Sequence, residues 1–348
     1  MTKINYQLQL QEIEEWLYPL FDNISCLEIY DHHVFTFSEI IKVKCLHDQI
    51  ELRFVIKKYI EGRRSSQNSR SCVENEYNIL TYLYHRFSAL HGFNVIRPIA
   101  ILLDRNILIT EDFSGIKLNW LILNNARWIP SNVRLKRLSS YLFQAGKWLR
   151  YFHEFTKRED FFSLQESDYL EKVKKRLSLS DNYGLLETGH HEIYDFVSEK
   201  ISKVNHLLLE SVGYHGDFSP WNILARKDEI RVLDFDRFAY RSKYDDLTFF
   251  ISALQGNKSI LGMQKQKINL LIKCFLDGFG LEQIDLNFFN LYMLLNTLKN
   301  LNNIDLNQNS NKKIFDILYE RYRKKRLVDY YVKNILDGIG SDNFLMLE

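Results

Sequence analysis

The chain has 348 residues, of which 46% are hydrophobic and 26% charged, with a formal net charge of +2. That length suits two packed bodies better than one core, the composition excludes a disordered or fibrous chain, and so small a net charge supplies no basic field for nucleic acid. The four cysteines (Cys26, Cys45, Cys72, Cys274) form no CxxC pair, which points to reduced thiols in a cytoplasmic protein and not to a disulfide frame or a zinc site.

The first residues, MTKINYQLQLQEIEEW, lack the apolar core of a secretion signal, and no run approaches the ~20 apolar residues that span a bilayer. Over 5–22, Leu8, Ile13, Trp16, Leu17 and Leu20 trace one face of a helix. From Cys26 to Tyr59 the chain turns strand-like, with the runs EIIKVKCL and IELRFVIKKYI joined by a hairpin through LHDQ and the turn between the first two strands read over YDHHVFTFSE. The spacing predicts a helix over 72–86 with Val73, Glu76, Leu80 and Leu83 near one face, then strands in VIRPIAILL and NILITEDF linked by the Asp104–Asn106 turn. The order strand, strand, helix, strand, strand describes a small sheet carrying one helix.

Beyond Gly115 the chain reads as mostly helical. Leu135, Leu138, Leu142, Ala145, Leu149 and Phe152 give a buried helical face, and His153 at its end reads as a core histidine with its hydrogen bonds made. Further helices are predicted over 191–211, 245–256, 265–279 and 286–298, with a short strand in IRVLDF at 230–235 and an asparagine-rich surface loop over 295–311. The pairs His32–His33 and His190–His191 read as surface histidines and not metal ligands, because adjacent residues on a strand point apart. The basic run ERYRKKRLVDYY at 320–331 fits a solvated helix face better than a contact with an anionic membrane.

Chemistry concentrates in HGDFSPWN at 215–222 and LDFD at 233–236. Pro220 stiffens the first segment and Gly216 lets it bend beside Asp217, so Asp217 and Asn222 project from a rigid loop. The amide oxygen of Asn222 is a hard ligand suited to Mg²⁺. Asp234, at the end of an apolar strand, reads as a buried carboxylate in need of a cation or donors. A carboxylate for a hydroxyl, with an amide oxygen and a second carboxylate for a metal, is the equipment of phosphoryl transfer.

The pattern H-x-D-x-x-x-x-N (His215, Asp217, Asn222) followed by LDFD resembles the aminoglycoside phosphotransferase and choline kinase branch of the protein-kinase-like superfamily. The resemblance implies an α+β, two-lobed fold: an N-terminal helix over 1–25, a small antiparallel nucleotide-binding lobe with one helix over 26–112, and a large, mostly helical catalytic and substrate lobe over 113–348. It implies Asp217 as the base or orienting group for the acceptor hydroxyl and Asn222 and Asp234 as ligands of Mg²⁺. Asp236 becomes a further metal ligand or a loop anchor, and His215 and Asp246 structural supports of the catalytic loop. Lys57, in VIKKY, takes the place of the lysine that contacts ATP phosphates, with Lys58 facing the other way. Glu76 is its expected partner, ahead of Glu74, and Val55 the expected adenine wall. Thr110-Glu111-Asp112-Phe113, followed by Gly115, occupies the position of the hinge that receives adenine.

Two departures stand out: YDHHVFTFSE contains no glycine where relatives carry a Gly-rich phosphate loop, and DFD replaces DFG. The expected activity is ATP- and Mg²⁺-dependent transfer of the γ-phosphate to a hydroxyl of a small molecule, a sugar or cell-envelope glycan precursor being favoured. The alternatives are a catalytically silent nucleotide-binding pseudokinase and a kinase for an aminoglycoside, an amino alcohol or a protein. With eleven residues between Asp234 and Asp246, little room is left for an activation segment that displays a peptide. Oligomeric state leaves no mark on the sequence.

Overall fold

A computed structural model of the protein describes residues 3–61, 69–127, 132–180, 190–260, 262–302 and 314–341. The chain forms two compact units, one of residues 1–115 with 231–238 and the other of 116–230 with 239–348.

The first unit begins with α1 (Lys3–Leu17), followed by β1 (Ile24–Val34), β2 (Ser38–His47), β3 (Ile50–Tyr59), α2 (Ser69–Phe87), β4 (Phe93–Val95), β5 (Pro98–Leu102) and β6 (Ile107–Glu111). Among the described residues the main sheet runs in the order β1-β2-β3-β6-β5, with antiparallel pairing throughout. One core cluster takes Ile13, Trp16 and Leu17 of α1 against Ile41, Val43, Cys45, Phe54, Ile56 and Ile109 of the sheet. The helix stops at Leu17, earlier than its apolar spacing implies, because Pro19 disfavours helical backbone before it and lacks an N–H. Leu20 lies beyond the helix and is exposed, and Leu8 falls outside the residues whose side chains are described.

One further difference from the sequence reading arises here. The turn read over YDHHVFTFSE is shorter than expected: β1 runs on through Tyr30–Val34, so the connection to β2 is only Phe35–Phe37. The hairpin expected through LHDQ is present: β2 and β3 turn through Asp48 and Gln49, both with positive φ (49° and 64°), a two-residue turn that the sheet's twist favours even without glycine.

The second unit holds β7 (Ile116–Lys117), α3 (Leu118–Asn125), α4 (Asn132–Thr156), β8 (Phe161–Ser163), α5 (Glu166–Ser180), α6 (His190–Val204), β9 (Leu208–Glu210), β10 (Val212–Tyr214) and β11 (Ile223–Arg226). After β12 (Glu229–Val232) and β13 (Ala239–Arg241) come α7 (Lys243–Gly256), α8 (Lys265–Phe279), α9 (Leu286–Asn302) and α10 (Ile314–Gly340). Helix α4 buries Leu138, Leu142, Ala145, Leu149 and Phe152, with Leu135 half-buried. It meets α8 at backbone distance: a Cβ on Gly146 would fall 2.0 Å from the Phe275 carbonyl oxygen, and one on Gly278 2.0 Å from that of Phe143. The reading of 191–211 as one helix is corrected, since α6 ends at Val204 and Leu208–Glu210 pairs with Phe161–Ser163 as a strand.

The asparagine-rich stretch is corrected too: 295–302 belong to α9, and 303–313 lie outside the described residues. Asn296 donates to the Asp245 carbonyl (3.1 Å) and to Thr248 Oγ1 (2.8 Å), and Asn300 to Ser252 Oγ (2.8 Å), so these asparagines pack α9 on α7. Of the basic run at 320–331, Tyr322 and Lys325 are exposed while Val328 and Tyr331 are buried. No helix among the described residues is long and apolar enough to cross a membrane.

His153 differs from its expected state. It is buried, its ring meets Phe279 edge-on at 5.9 Å, and neither ring nitrogen has a hydrogen-bond partner among the described residues. Burial, with a smaller contribution from Lys243, lowers its pKa to about 3. A depressed folded-state pKa means that stability is complete above the unfolded value near 6.5 and is lost as pH falls toward 3. His153→Phe, which keeps an apolar ring, is expected to remove about 2 kcal/mol of the stability difference between pH 7 and pH 5, measured as the change in urea midpoints of variant and wild type at the two pH values.

Candidate active site

In the first unit, strand alternation puts Val55, Lys57 and Tyr59 on one face of β3 and Phe54 and Ile56 on the other, in the core cluster. Lys58 turns away, its ammonium 6.0 Å from the Trp16 ring. Helical spacing brings Glu76 of α2 to the stripe of Val73, Leu80 and Leu83, all buried; Glu74 is exposed. The Lys57 ammonium donates to both oxygens of Glu76 (2.9 and 3.2 Å) and to Asp234 Oδ1 (2.5 Å).

Burial alone would lower the pKa of Lys57, but the carboxylates of Asp234 and Glu76 outweigh it and hold the ammonium well above its ordinary value. Glu76 is also buried, which raises its carboxyl, with Lys57 pulling the other way. Its Oε1 accepts the Phe235 N–H (3.0 Å), which ties α2 to the LDFD segment directly. Asp236 stands near enough to act electrostatically on Lys57 and Glu76. Asp234 has φ of 72°, a left-handed conformation that Asp adopts more readily than most residues. Its side chain is 34% exposed, so the expectation of a buried carboxylate is corrected to a half-buried one.

Two contacts here were not legible in the sequence. The Tyr59 hydroxyl donates to Glu76 Oε2, and its ring lies 4.9 Å from the Lys57 ammonium; the i, i+2 relation to Lys57 was the available signal. The segment read as a hinge is also tied down. Asp112 accepts from the Tyr30 hydroxyl and pairs with Lys42 (3.5 Å). The N–H groups of Glu111 and Asp112 donate to the carbonyls of Arg97 and Arg53 (3.0 Å each), and Glu111 Oε1 accepts from Arg97 N–H (3.0 Å). Phe113 is buried, with the Arg231 guanidinium 5.4 Å from its ring centre.

In the second unit, β10 leads into the HGDFSPWN loop. Gly216 has φ of 88°, open to glycine at little cost. The Asp246 carboxylate, on the first turn of α7, accepts the N–H of His215 (2.6 Å) and of Gly216 (3.2 Å). Burial pushes the Asp246 carboxyl up to about 8, against those two amide donors, which favour its charged form. His215 is fully buried, and its Nδ1 accepts the Asp217 N–H (3.3 Å). Phe218 anchors the loop from below, stacked on Trp148 (5.2 Å) and Phe250 (5.0 Å). Pro220–Asn222 forms a single 3₁₀ turn. From it the Asn222 amide nitrogen donates to the Asp217 carbonyl (2.9 Å) and to Asp217 Oδ2 (3.1 Å), leaving its oxygen as the atom able to face a cation.

No family model matches this sequence, and no curated protein matches it. Among solved structures the chain is similar to a choline kinase from Streptococcus pneumoniae (TM-score 0.51, 12% identity, 96% of this chain and 99% of that one). It is similar to an amicoumacin kinase solved with AMP-PNP and Ca²⁺ (TM-score 0.51, 14% identity, 97% and 96%). It is also similar to a glucosamine kinase solved with glucosamine, ADP and inorganic phosphate (TM-score 0.55, 12% identity, 92% and 83%). These likenesses establish the fold: an α+β chain with the protein-kinase-like architecture that these small-molecule kinases share.

Removing the Asp246 carboxylate would leave two buried amide donors without acceptors. Asp246→Ala is expected to cost about 2–4 kcal/mol in denaturant unfolding and to abolish hydrogen-exchange protection at the amides of His215 and Gly216, with Asp246→Asn intermediate.

Proposed function

We propose that the protein is a kinase that transfers the γ-phosphoryl group of ATP to a hydroxyl of a small molecule. The observation that carries this reading is the Lys57–Glu76–Asp234 cluster, a largely buried lysine held between two carboxylates on a sheet of this fold. On this reading Lys57 holds the α- and β-phosphates and Glu76 fixes its position. Val55, Glu111 and Phe113 contribute to the adenine end. Asp217 orients the acceptor hydroxyl and takes its proton as the oxygen bonds to the γ-phosphorus and the bond to the β-phosphate oxygen breaks. His215 and Asp246 hold the loop that carries Asp217.

The donor set fits a divalent cation. Glu76 and Asp234 set two carboxylates against the one ammonium of Lys57, and the Asn222 amide oxygen is a neutral hard ligand of the kind such a cation takes. Asn222 and Asp234, with Asp236, are the residues that would hold Mg²⁺, whose role is to neutralise phosphate charge.

For the acceptor we favour a sugar or cell-envelope glycan precursor. Residues 247–348 carry no excess of acid over Lys and Arg, which disfavours a polycationic aminoglycoside. The similar glucosamine kinase, solved with its sugar, is in keeping with that preference. A screen of sugars, amino alcohols and aminoglycosides for acceptor-dependent ADP release tests the class. Stabilisation by MgATP with no transfer to any acceptor would favour a silent nucleotide-binding module instead.

With the acceptor in hand, Asp217→Ala is expected to reduce kcat by at least about 10²-fold with Tm unchanged, and normal turnover would remove Asp217 from the mechanism. Asp234→Ala is expected to weaken MgATP binding as well as turnover, read by calorimetric titration.

A further inference from the structure

Tyr59 has no part in the chemistry just described, yet it touches both members of the buried pair. It is itself 4% exposed at the end of β3, where its N–H is pinned to the Asn106 carbonyl (2.9 Å). Strand alternation turns it to the same side as Lys57. Its hydroxyl donates to Glu76 Oε2, and its ring stands 4.9 Å from the Lys57 ammonium.

The donors around Glu76 show why both contacts matter. Oε1 accepts from Lys57 (3.2 Å) and from the Phe235 N–H (3.0 Å); Oε2 accepts from Lys57 (2.9 Å) and from Tyr59. A carboxylate that is 2% exposed has no water to replace a missing donor. Lys57, for its part, is a flexible side chain between two carboxylates, Glu76 and Asp234. A lysine so placed can slide toward either, and the electron-rich face of a fixed ring supplies a third, uncharged restraint on the ammonium.

We propose that Tyr59 is a positioning residue for phosphate binding, its hydroxyl fixing Glu76 and its ring fixing Lys57. The proposal rests on the reading of Lys57 as the phosphate-contacting lysine. The two handles separate by substitution: Tyr59→Phe removes the hydroxyl and keeps the ring, and Tyr59→Leu removes both.

Two measurements on the full chain test it, with Tm recorded for each variant. The first is acetylation of Lys57 in the nucleotide-free protein by an amine-directed reagent, followed by mass spectrometry and normalised to exposed Lys136. Labelling is expected to rise about threefold in Tyr59→Phe and about tenfold in Tyr59→Leu as the restraints on the ammonium are lost. The second compares dissociation constants for MgATP and for adenosine. MgATP affinity is expected to fall about tenfold in Tyr59→Phe and further in Tyr59→Leu, while adenosine, which has no phosphate to meet Lys57, binds as in wild type. Unchanged Lys57 labelling in Tyr59→Leu, or equal weakening of both ligands, would overturn the assignment and leave Tyr59 a packing residue. A wild-type protein that binds no MgATP would instead overturn the kinase reading, and the labelling result would still decide whether Tyr59 restrains Lys57.

Discussion

A lysine is expensive to bury, and the first unit is arranged around the terms on which Lys57 can be. Its ammonium needs opposite charge within hydrogen-bond reach, and two carboxylates supply it. Meeting that requirement recruits distant parts of the chain. Glu76 comes from α2, and Asp234 lies 177 positions beyond Lys57. Glu76 then uses its remaining capacity on the Phe235 amide, so that strand, helix and LDFD segment share one polar node. Removing Lys57 would leave the Glu76 carboxylate, 2% exposed, without its counterion and without water to replace it.

The second unit solves a different problem, that of holding a short polar loop still. It does so by combining two kinds of anchor. Asp246 fills the hydrogen-bonding needs of two loop amides from above a helix start, where the dipole also favours negative charge. Phe218 drives the loop's middle into the stack with Trp148 and Phe250. Between them His215 and Asn222 each bond to Asp217, one to its amide and one to its carbonyl and carboxylate. The carboxylate thereby keeps an orientation that its own single rotatable stem would not fix.

Much of this was legible because alternation and helical spacing are direct consequences of backbone geometry. Lys57 against Lys58 follows from a strand's period of two, and Glu76 against Glu74 from a helix's period near 3.6. What escaped was whatever depends on a partner. The same apolar spacing that revealed α1 ran on through Pro19 to an exposed Leu20, since periodicity carries no stop signal of its own. Asn300, past the predicted helix end at 298, looks like a loop residue by composition and is helical, its amide donating to Ser252 of α7. Tyr59 looked like one more aromatic in a chain with 20 tyrosines, and only its contacts distinguish it.

The first unit is discontinuous in the chain: residues 231–238 belong to it, although 116–230 lie in the other. During synthesis the ribosome therefore releases Lys57 and Glu76 well before the residues that complete their surroundings. At ordinary elongation rates the interval is on the order of ten seconds, long compared with the collapse of a small sheet. A nascent chain halted before position 231 would hold Lys57 and Glu76 without Asp234 and the Phe235 amide. That places the vulnerable moment of this protein's biogenesis in mid-translation, when it is open to chaperones and proteases alike.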